Sequence, residues 1–516
     1  MTTESDHRSA WKNSLPLVTA NSGREARLAA SVKRGAGWSA GGTIFLRLSN
    51  ILLTAIVARI VSPEALGVFT LAVTVHSIVV TLAELGVASA VSRCDLDVDK
   101  IAPTITTLAI VGSLLLAIPM AAFASQIAQF MGNEDAASSI KILSIGVALI
   151  GPLAVPGALL QRNFRQKVNF WASVASFVPG SATLLVLATL GDGAEAYAWS
   201  RIVGQIVMGG IILAYSSRIY LPGLEFPLLR PLLAFGLPLA GANLLSQILL
   251  NLDYALIGRL LTVADLGVYF LAFNVAMWPT AIVGTVLNSI VLPAFSRVLR
   301  DNGNIRKSIT DGLTVIALIV FPIGAFLLAF SDQLIVIVYG PKWAAAGPVL
   351  SILATYGVLF VFGLFIANIL IALGKTSLLF VGQVGALLAL VPALWIGITL
   401  AGLHGAGVAH IVVMCGVTIP VYFWGLRRAT SIGLGELCVA LKTPVLSSIF
   451  AAVLAKTLTL PLPDGWLSVL LGGVIGLGTC IAMNYRVLTQ LIPMTSRRVS
   501  QASQKRKSPT AGRDHP

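Results

Sequence analysis

Arg59-Ile60-Val61-Ser62-Pro63-Glu64-Ala65-Leu66-Gly67-Val68-Phe69-Thr70-Leu71-Ala72 is written a second time, with changes, as Arg259-Leu260-Leu261-Thr262-Val263-Ala264-Asp265-Leu266-Gly267-Val268-Tyr269-Phe270-Leu271-Ala272. In both copies six residues separate the arginine from a Leu-Gly-Val-aromatic phrase, and Leu-Ala closes it. The match extends outward: Ala40-Gly41 recurs as Ala240-Gly241, and Leu52, Ala55 and Val75 recur as Leu252, Ala255 and Val275. A repeat of this length in an apolar chain points to two related halves around one pathway.

Of the 516 residues only 11% are charged and 56% are hydrophobic, which excludes the soluble globular classes. Apolar runs of about 20 residues, enough to cross roughly 30 Å of hydrocarbon as helix, recur along the chain. The expected fold is an all-α integral membrane protein with about 14 transmembrane helices. The first six spans read 36–60, 64–90, 101–123, 140–160, 169–190 and 195–216, an N-terminal lobe over 35–217. A linker at 218–232 carries Pro222, Pro227 and Pro231. The second six read 233–260, 264–294, 309–330, 346–373, 376–400 and 405–425, a C-terminal lobe over 233–426. Two further spans, 437–460 and 466–485, have no counterpart in the first half and form an appended unit at 437–485.

Six spans, an even number, separate the two copies, so both enter the membrane in the same direction and the repeats are parallel. Two parallel six-helix repeats then enclose a central cavity. Leu143-Ser144-Ile145 echoes Leu350-Ser351-Ile352, and Gly193-Ala194 with Gly204 echoes Gly405-Ala406 with Gly416.

The net charge of +14 would point to nucleic acid in a soluble protein, but its placement sets topology instead. With this span count Lys and Arg divide 27 to 5 between the two sides, with three inside spans. The rich side holds the basic tails 1–34 and 486–516, Arg162, Arg165 and Lys167, then Arg297, Arg300, Arg306 and Lys307, and Arg427-Arg428. By the positive-inside rule that side, with both termini, is cytoplasmic. The C-terminal tail is read as a solvated, topology-fixing segment with some attraction to anionic lipid. The N-terminal tail has no apolar core, and the run after it is too long for a signal peptide, so it is expected to be retained as the first span.

Ionisable groups near the bilayer centre cost on the order of 2.5–3.5 kcal/mol on insertion scales and need a wet cavity or a partner. Arg47 sits deep in the first span, and Thr43, Arg47, Asn50 and Thr54 share one helix face. The repeat-equivalent seventh span places Asn243, Gln247, Asn251 and Tyr254 on one face, with Thr43, Arg47 and Thr54 matching Asn243, Gln247 and Tyr254. Two polar stripes related by the repeat are read as the walls of a substrate-binding cleft; the alternative is polar glue between helices.

The second span adds Thr70, Thr74, Ser77, Thr81 and Glu84 on one face. Glu84, near the inner end of its span, and Asp253, in the outer half of the seventh, are candidates for ion coupling or for a structural pairing. Arg59, Arg201 and Arg259 are expected to snorkel to the interface. His76, His404 and His410 lack partner spacing for a metal and read as packed residues. Gly374-Lys375-Thr376 lacks the earlier glycine of a phosphate loop, where Ile369 stands. Cys94, Cys415, Cys438 and Cys480 are scattered without metal-ligand spacing. No metal, cofactor or catalytic residue is expected.

Taken together, several stretches are similar to one family: Ala58-Arg59 through Gly67, Glu84-Leu85-Gly86, and Val155-Pro156-Gly157-Ala158-Leu159-Leu160-Gln161-Arg162 in the first half. In the second half they are Asp253 through Arg259, Leu266-Gly267-Val268-Tyr269, Leu292-Pro293-Ala294-Phe295-Ser296-Arg297 and Tyr339-Gly340-Pro341-Lys342-Trp343. Over about 33–430 the chain resembles the polysaccharide-transporter branch, the Wzx and WzxC-like exporters, of the multidrug/oligosaccharidyl-lipid/polysaccharide flippase superfamily. The resemblance implies two six-helix lobes around a V-shaped cavity of alternating access. It also implies a flippase of polyprenyl-pyrophosphate-linked oligosaccharides for capsule, exopolysaccharide or O-antigen.

That substrate suits the residues. A sugar hydroxyl taken into hydrocarbon without a partner costs about 4–8 kcal/mol, so a glycan needs a polar cleft. The pyrophosphate needs a cation there, and Arg47 offers a planar donor fork. An inside-negative potential favours outward movement of the anionic head by about 2.3 kcal/mol per charge per 100 mV. Expected partners are the lipid-linked glycan, membrane lipids, and polysaccharide polymerase and glycosyltransferases at the cytoplasmic loops, with no nucleic acid. The alternatives are a cation-coupled multidrug-type antiporter, which would centre its cavity on carboxylates, and a lipid II flippase, whose loss would stop growth. A membrane-embedded glycosyltransferase or polymerase would need a large hydrophilic loop, and the span assignment leaves none.

Overall fold

The computed structural model describes residues 46–84, 98–163, 165–216, 218–287, 295, 304–463, 465–487 and 489. Within them the chain is helical, with no strand among the described residues. The helices of the first half are α1 (46–60), α2 (Pro63–Ala83), α3 (Val98–Ala122), α4 (Ala124–Met131), α5 (Ala136–Arg162), α6 (Gln166–Leu190) and α7 (Gly193–Tyr215). The second half contributes α8 (Phe226–Leu260), α9 (Val263–Ala276), α10 (Trp278–Val286), α11 (Ile305–Tyr339), α12 (Ala346–Ala372), α13 (Thr376–Val413) and α14 (Ile419–Thr430), followed by α15 (Leu434–Thr459) and α16 (Trp466–Met483).

Eleven helical stretches among the described residues are long and apolar enough to cross a membrane, against the fourteen expected. One of the eleven, Thr376–Thr430, holds two of the expected spans. Ala401 and Gly402 leave helical geometry, Gly402 with φ of 55°, and the chain doubles back so that the backbones of Gly397 and Gly405 touch with no room for a side chain. The first expected span is described only from residue 46, and the eighth is broken at Met277 into α9 and α10, each too short to cross by itself. At the linker, helix begins at Phe226 rather than at 233, because Pro227 stands at the first helical turn, where its missing N–H is harmless.

Each half packs largely within itself. In the first, α2, α3, α5, α6 and α7 pack together, and Val57 of α1 and Val61 just beyond it are buried against Leu184, Ala188 and Ala196. In the second, α12 lies between α11 and α13, and α8 packs on α13. The appended α15 and α16 lean on each other and on α11. The halves meet chiefly where α9 and α8 lie along α2.

The repeated stretch makes that junction. Ser62 caps α2 by accepting from the Ala65 N–H, and Thr262 caps α9 in a reciprocal capping box with Asp265. Each cap turns the chain sharply, so the glycine four residues into each helix meets the start of the other. A methyl group on Gly67 would overlap the Val263 carbonyl oxygen, and one on Gly267 would overlap the Pro63 carbonyl oxygen. This reciprocity is why the repeat carries Leu-Gly-Val twice. Lipid tails are as apolar as side chains, so association here rests on close backbone approach and hydrogen bonds, which glycine permits.

Candidate functional site

The two repeat arginines, both exposed, bind across the junction. Arg59, at the end of α1, donates through Nη2 to the Ile337 carbonyl in α11, 2.6 Å away. Arg259, at the end of α8, donates to the Phe130 carbonyl in α4 at 3.4 Å, its guanidinium 5.0 Å from the centre of the Phe130 ring. Trp343 is fully buried and donates through Nε1 to the Ala58 carbonyl at 2.7 Å. Lys342, beside it, faces Glu64 of α2; partial burial lowers its pKa below the ordinary lysine value while the Glu64 carboxylate pulls the other way. One buried apolar cluster runs through this end of both halves, including Leu66, Met131, Ile257, Leu266 and Trp343. The result is a clasp in which each half holds the other by its own copy of one motif.

Trp343→Phe keeps a ring in the clasp but leaves the Ala58 carbonyl without its donor. An unmade buried hydrogen bond costs about 1–3 kcal/mol. A lower midpoint of thermal unfolding of the purified protein in detergent is the expected outcome, and an unchanged midpoint would remove the bond from the account.

Away from the clasp lie the polar stripes. Arg47 and Asn50 on α1 are exposed, and Thr54 is half-buried with its hydroxyl donating to the Asn50 carbonyl at 2.8 Å. Thr43 lies outside the described residues. On α8, Asn243 is exposed, Gln247 and Asn251 are half-buried, and Asn251 donates to the Gln247 carbonyl at 2.8 Å. Tyr254 differs from its stripe: it is 7% exposed, its ring packed against Tyr269, Phe270 and Phe273. It ends the stripe as a wall of the aromatic core. On α2, Thr70, Ser77 and Thr81 donate to carbonyls of their own helix. Glu84 is the exposed residue that closes α2, its N–H bonded to the Val80 carbonyl.

Asp253 is 1% exposed, and its partners are not arginines. Its Oδ2 accepts from the Tyr269 hydroxyl at 3.0 Å and lies 3.3 Å from His410 Nε2, while Oδ1 accepts from the Tyr254 N–H at 2.9 Å. The His410 ring stacks near Tyr356, centres 4.6 Å apart, and near Phe273. From its sequence His410 reads as a packing residue: 157 positions separate it from Asp253, and no spacing rule spans that distance.

Beside this cluster the second half holds a cavity of about 250 Å³ between α8, α12, α13 and α14. Its wall is mainly apolar, with Ser246, Gln383, Thr418, Tyr356, Tyr422 and His410 as polar groups; Asp253 lies behind His410. The helix widens to π geometry over Met414–Thr418 along the same wall, a distortion often found at functional sites. Among the described residues no group of three or more His, Cys, Asp and Glu is placed to hold a metal.

Comparison with known proteins agrees with this architecture. The model of a family described as polysaccharide biosynthesis protein matches residues 56–348, which begins and ends at the clasp. The lipopolysaccharide biosynthesis protein WzxC of Escherichia coli is 26% identical over 392 residues, 75% of this chain and 80% of that protein. The succinoglycan biosynthesis transport protein ExoT of Rhizobium meliloti is 25% identical over 465 residues, 87% of this chain and 91% of that one. Among solved structures, the lipid II flippase MurJ in an inward closed conformation superposes with a TM-score of 0.73 at 15% identity, covering 87% of this chain and 99% of its own. With helices in two half-repeats, a multi-pass membrane architecture and a matching family model over more than half its length, this chain belongs to the polysaccharide biosynthesis protein family, in the Wzx-like branch of the multidrug/oligosaccharidyl-lipid/polysaccharide flippase superfamily.

Proposed function

We infer that this protein moves polyprenyl-pyrophosphate-linked oligosaccharides across the cytoplasmic membrane by alternating access, in the synthesis of a cell-surface polysaccharide. It acts as a transporter rather than an enzyme. One observation carries the reading: two half-repeats are clasped at one end, and an exposed arginine and an exposed asparagine stand on the repeat-related helices leading away from the clasp. Arg47 is about 18 Å along α1 from Arg59, and Asn243 about 24 Å along α8 from Arg259, at 1.5 Å per residue. In this reading Thr43, Arg47, Asn50 and Thr54 form one wall of the cleft, and Asn243, Gln247 and Asn251 the other, with Tyr254 at its base. Arg47 receives the pyrophosphate and the amides receive sugar hydroxyls, while the polyprenyl tail stays in lipid.

The Lys and Arg bias supports cytoplasmic termini, which puts the clasp at the outer end and opens the cleft inward. Glu84 then stands near the inner end, and Asp253 in the outer half carries the coupling ion. Contacts with polymerase and glycosyltransferases are proposed at the cytoplasmic loops. The test is to delete the gene and follow the sidedness of lipid-linked oligosaccharide. Accumulation on the cytoplasmic leaflet, reversed by the wild-type gene, is expected. Unchanged sidedness in a strain with no second exporter would move the reading to a cation-coupled antiporter, and arrest of growth with accumulated cell-wall precursor would move it to a lipid II flippase.

A further inference from the structure

We propose that the cavity of the second half binds an N-acylated sugar residue, with the Gln383 amide reading the acetamido group and the rings of Tyr356, Phe360 and Tyr422 holding the sugar's apolar face. The inference rests on the transport reading above and names a sugar class for it.

Three observations meet here. First, the polar groups of this cavity are free. Among the described residues, the Gln383 amide, the Thr418 hydroxyl and the hydroxyls of Tyr356 and Tyr422 have no hydrogen-bond partner in the protein. Elsewhere in the bundle hydroxyls are satisfied locally: Thr70, Ser77, Thr81 and, on α14 itself, Thr430 each donate to a carbonyl one turn back in their own helix. A polar group without a partner in an apolar wall is costly, and four around one space form a set of donors and acceptors for a guest. The backbone is shaped to present them. Thr418 ends the π-helical segment, and Gly382, next to Gln383, leaves room for the Tyr422 ring, which a methyl group there would meet at 2.5 Å.

Second, the set is sparse and almost uncharged. A cavity of about 250 Å³ lies just below the roughly 300–1,000 Å³ of pockets for drug-sized ligands, which suits one sugar residue rather than a chain. An unmodified hexose carries hydroxyls around most of its ring, and a wall with Leu249, Leu364 and Leu390 would leave several without partners. An acetamido sugar replaces one hydroxyl with an amide and a methyl group. The methyl packs on the aromatic rings, while the amide N–H and C=O pair with the Gln383 carbonyl and NH₂. A hydrocarbon tail would leave all four free groups unmet. A phosphate would find no cation except His410, whose Nε2 already faces Asp253.

Third, the cavity adjoins the proposed cleft. Ser246 and Leu250 line it and, on a helix of 3.6 residues per turn, stand at the edge of the face that carries Asn243 and Gln247. Leu250 is 45% exposed, which places the mouth beside that stripe. Ser246 is about 20 Å along α8 from Arg259, close to the depth of Arg47 on α1, so a sugar whose pyrophosphate is held at Arg47 reaches it.

The test uses the full chain in detergent and reads binding without transport, so its result is independent of the sidedness assay. Leu250→Cys, in a chain whose four native cysteines are replaced, sets a thiol at the cavity mouth. Its rate of modification by a small maleimide is followed against methyl N-acetylglucosaminide, methyl glucoside or farnesyl phosphate. The acetamido glycoside is expected to protect at about tenfold lower concentration than the plain glucoside, the factor that one net hydrogen bond supplies. Gln383→Leu removes the difference, and Tyr422→Phe weakens protection by the acetamido glycoside. Monodisperse elution of each variant establishes that it is folded. Equal protection by the two glycosides, protection unaltered in Gln383→Leu, protection by farnesyl phosphate alone, or no protection by any of the three would each overturn the proposal. Such a failure leaves the sidedness result standing, whereas protection intact in a protein that moves no glycan would overturn the transport reading instead.

Discussion

Gly67→Ala and Gly267→Ala are each expected to reduce polysaccharide export by roughly 5- to 150-fold while leaving the protein folded and in the membrane. The reason is geometric. At both positions the added methyl group meets a backbone carbonyl oxygen of the opposite half, Val263 for Gly67 and Pro63 for Gly267, and a backbone at a capped helix start cannot swing aside as a side chain would. Overpacking a tight contact costs about 1–3 kcal/mol. The cheapest relief is to separate the halves, so the clasped state loses population by the corresponding factor. Each half retains its own packing, since neither glycine is needed for contacts within its own lobe. Surface polymer measured at matched membrane levels checks the effect on export, and reactivity of a cysteine at Pro63 or Val263 toward a membrane-impermeant reagent checks the opening. Wild-type export together with unaltered reactivity would show that the clasp need not close during transport.

Arg47→Ala is expected to lower export by on the order of tenfold to a hundredfold or more. Hydrogen bonds to charged groups contribute about 1.5–3 kcal/mol each, and an arginine fork can give a pyrophosphate two. Arg47→Lys keeps the charge but not the planar fork, so an intermediate rate is expected. Arg47 is exposed on α1, which makes a loss of packing a poor explanation for a loss of transport. Quantified lipid-linked intermediates in cells carrying each variant provide the measurement. Equal rates for arginine, lysine and alanine would remove the anion site from α1.

Much of this architecture was legible because hydrocarbon imposes it. Apolar length located most of the helices, and the internal repeat pointed to two related halves. What the repeat was for was not legible. Arg59 and Arg259 end apolar helices, and an arginine at a helix end reads as snorkelling; only the fold shows that each reaches a carbonyl in the opposite half. Leu-Gly-Val could be seen to recur, but a glycine's reason lies in the atom it would otherwise strike, and that atom belongs to the other copy. The polar stripe on α8 continued by spacing to Tyr254, yet the ring turns into a cluster of aromatics that arrive from α9. Asp253 was visible as a carboxylate in a costly place, while its partner His410 comes from a helix five spans later in the expected order, beyond any local pattern. The hairpin at Gly402 was legible because an apolar run of that length must reverse to stay in the bilayer.

Movement of a lipid-linked glycan between leaflets by this protein alone is measured by reconstituting the purified full chain into vesicles carrying a labelled polyprenyl-pyrophosphate oligosaccharide, with leaflet exposure followed by an impermeant glycan-modifying enzyme. Wild-type protein is expected to bring to the enzyme the half of the label otherwise protected in the inner leaflet, and Arg47→Ala protein to do so far more slowly. Protection that persists with folded wild-type protein, both with and without a pH gradient and membrane potential of either sign, would contradict the transport reading.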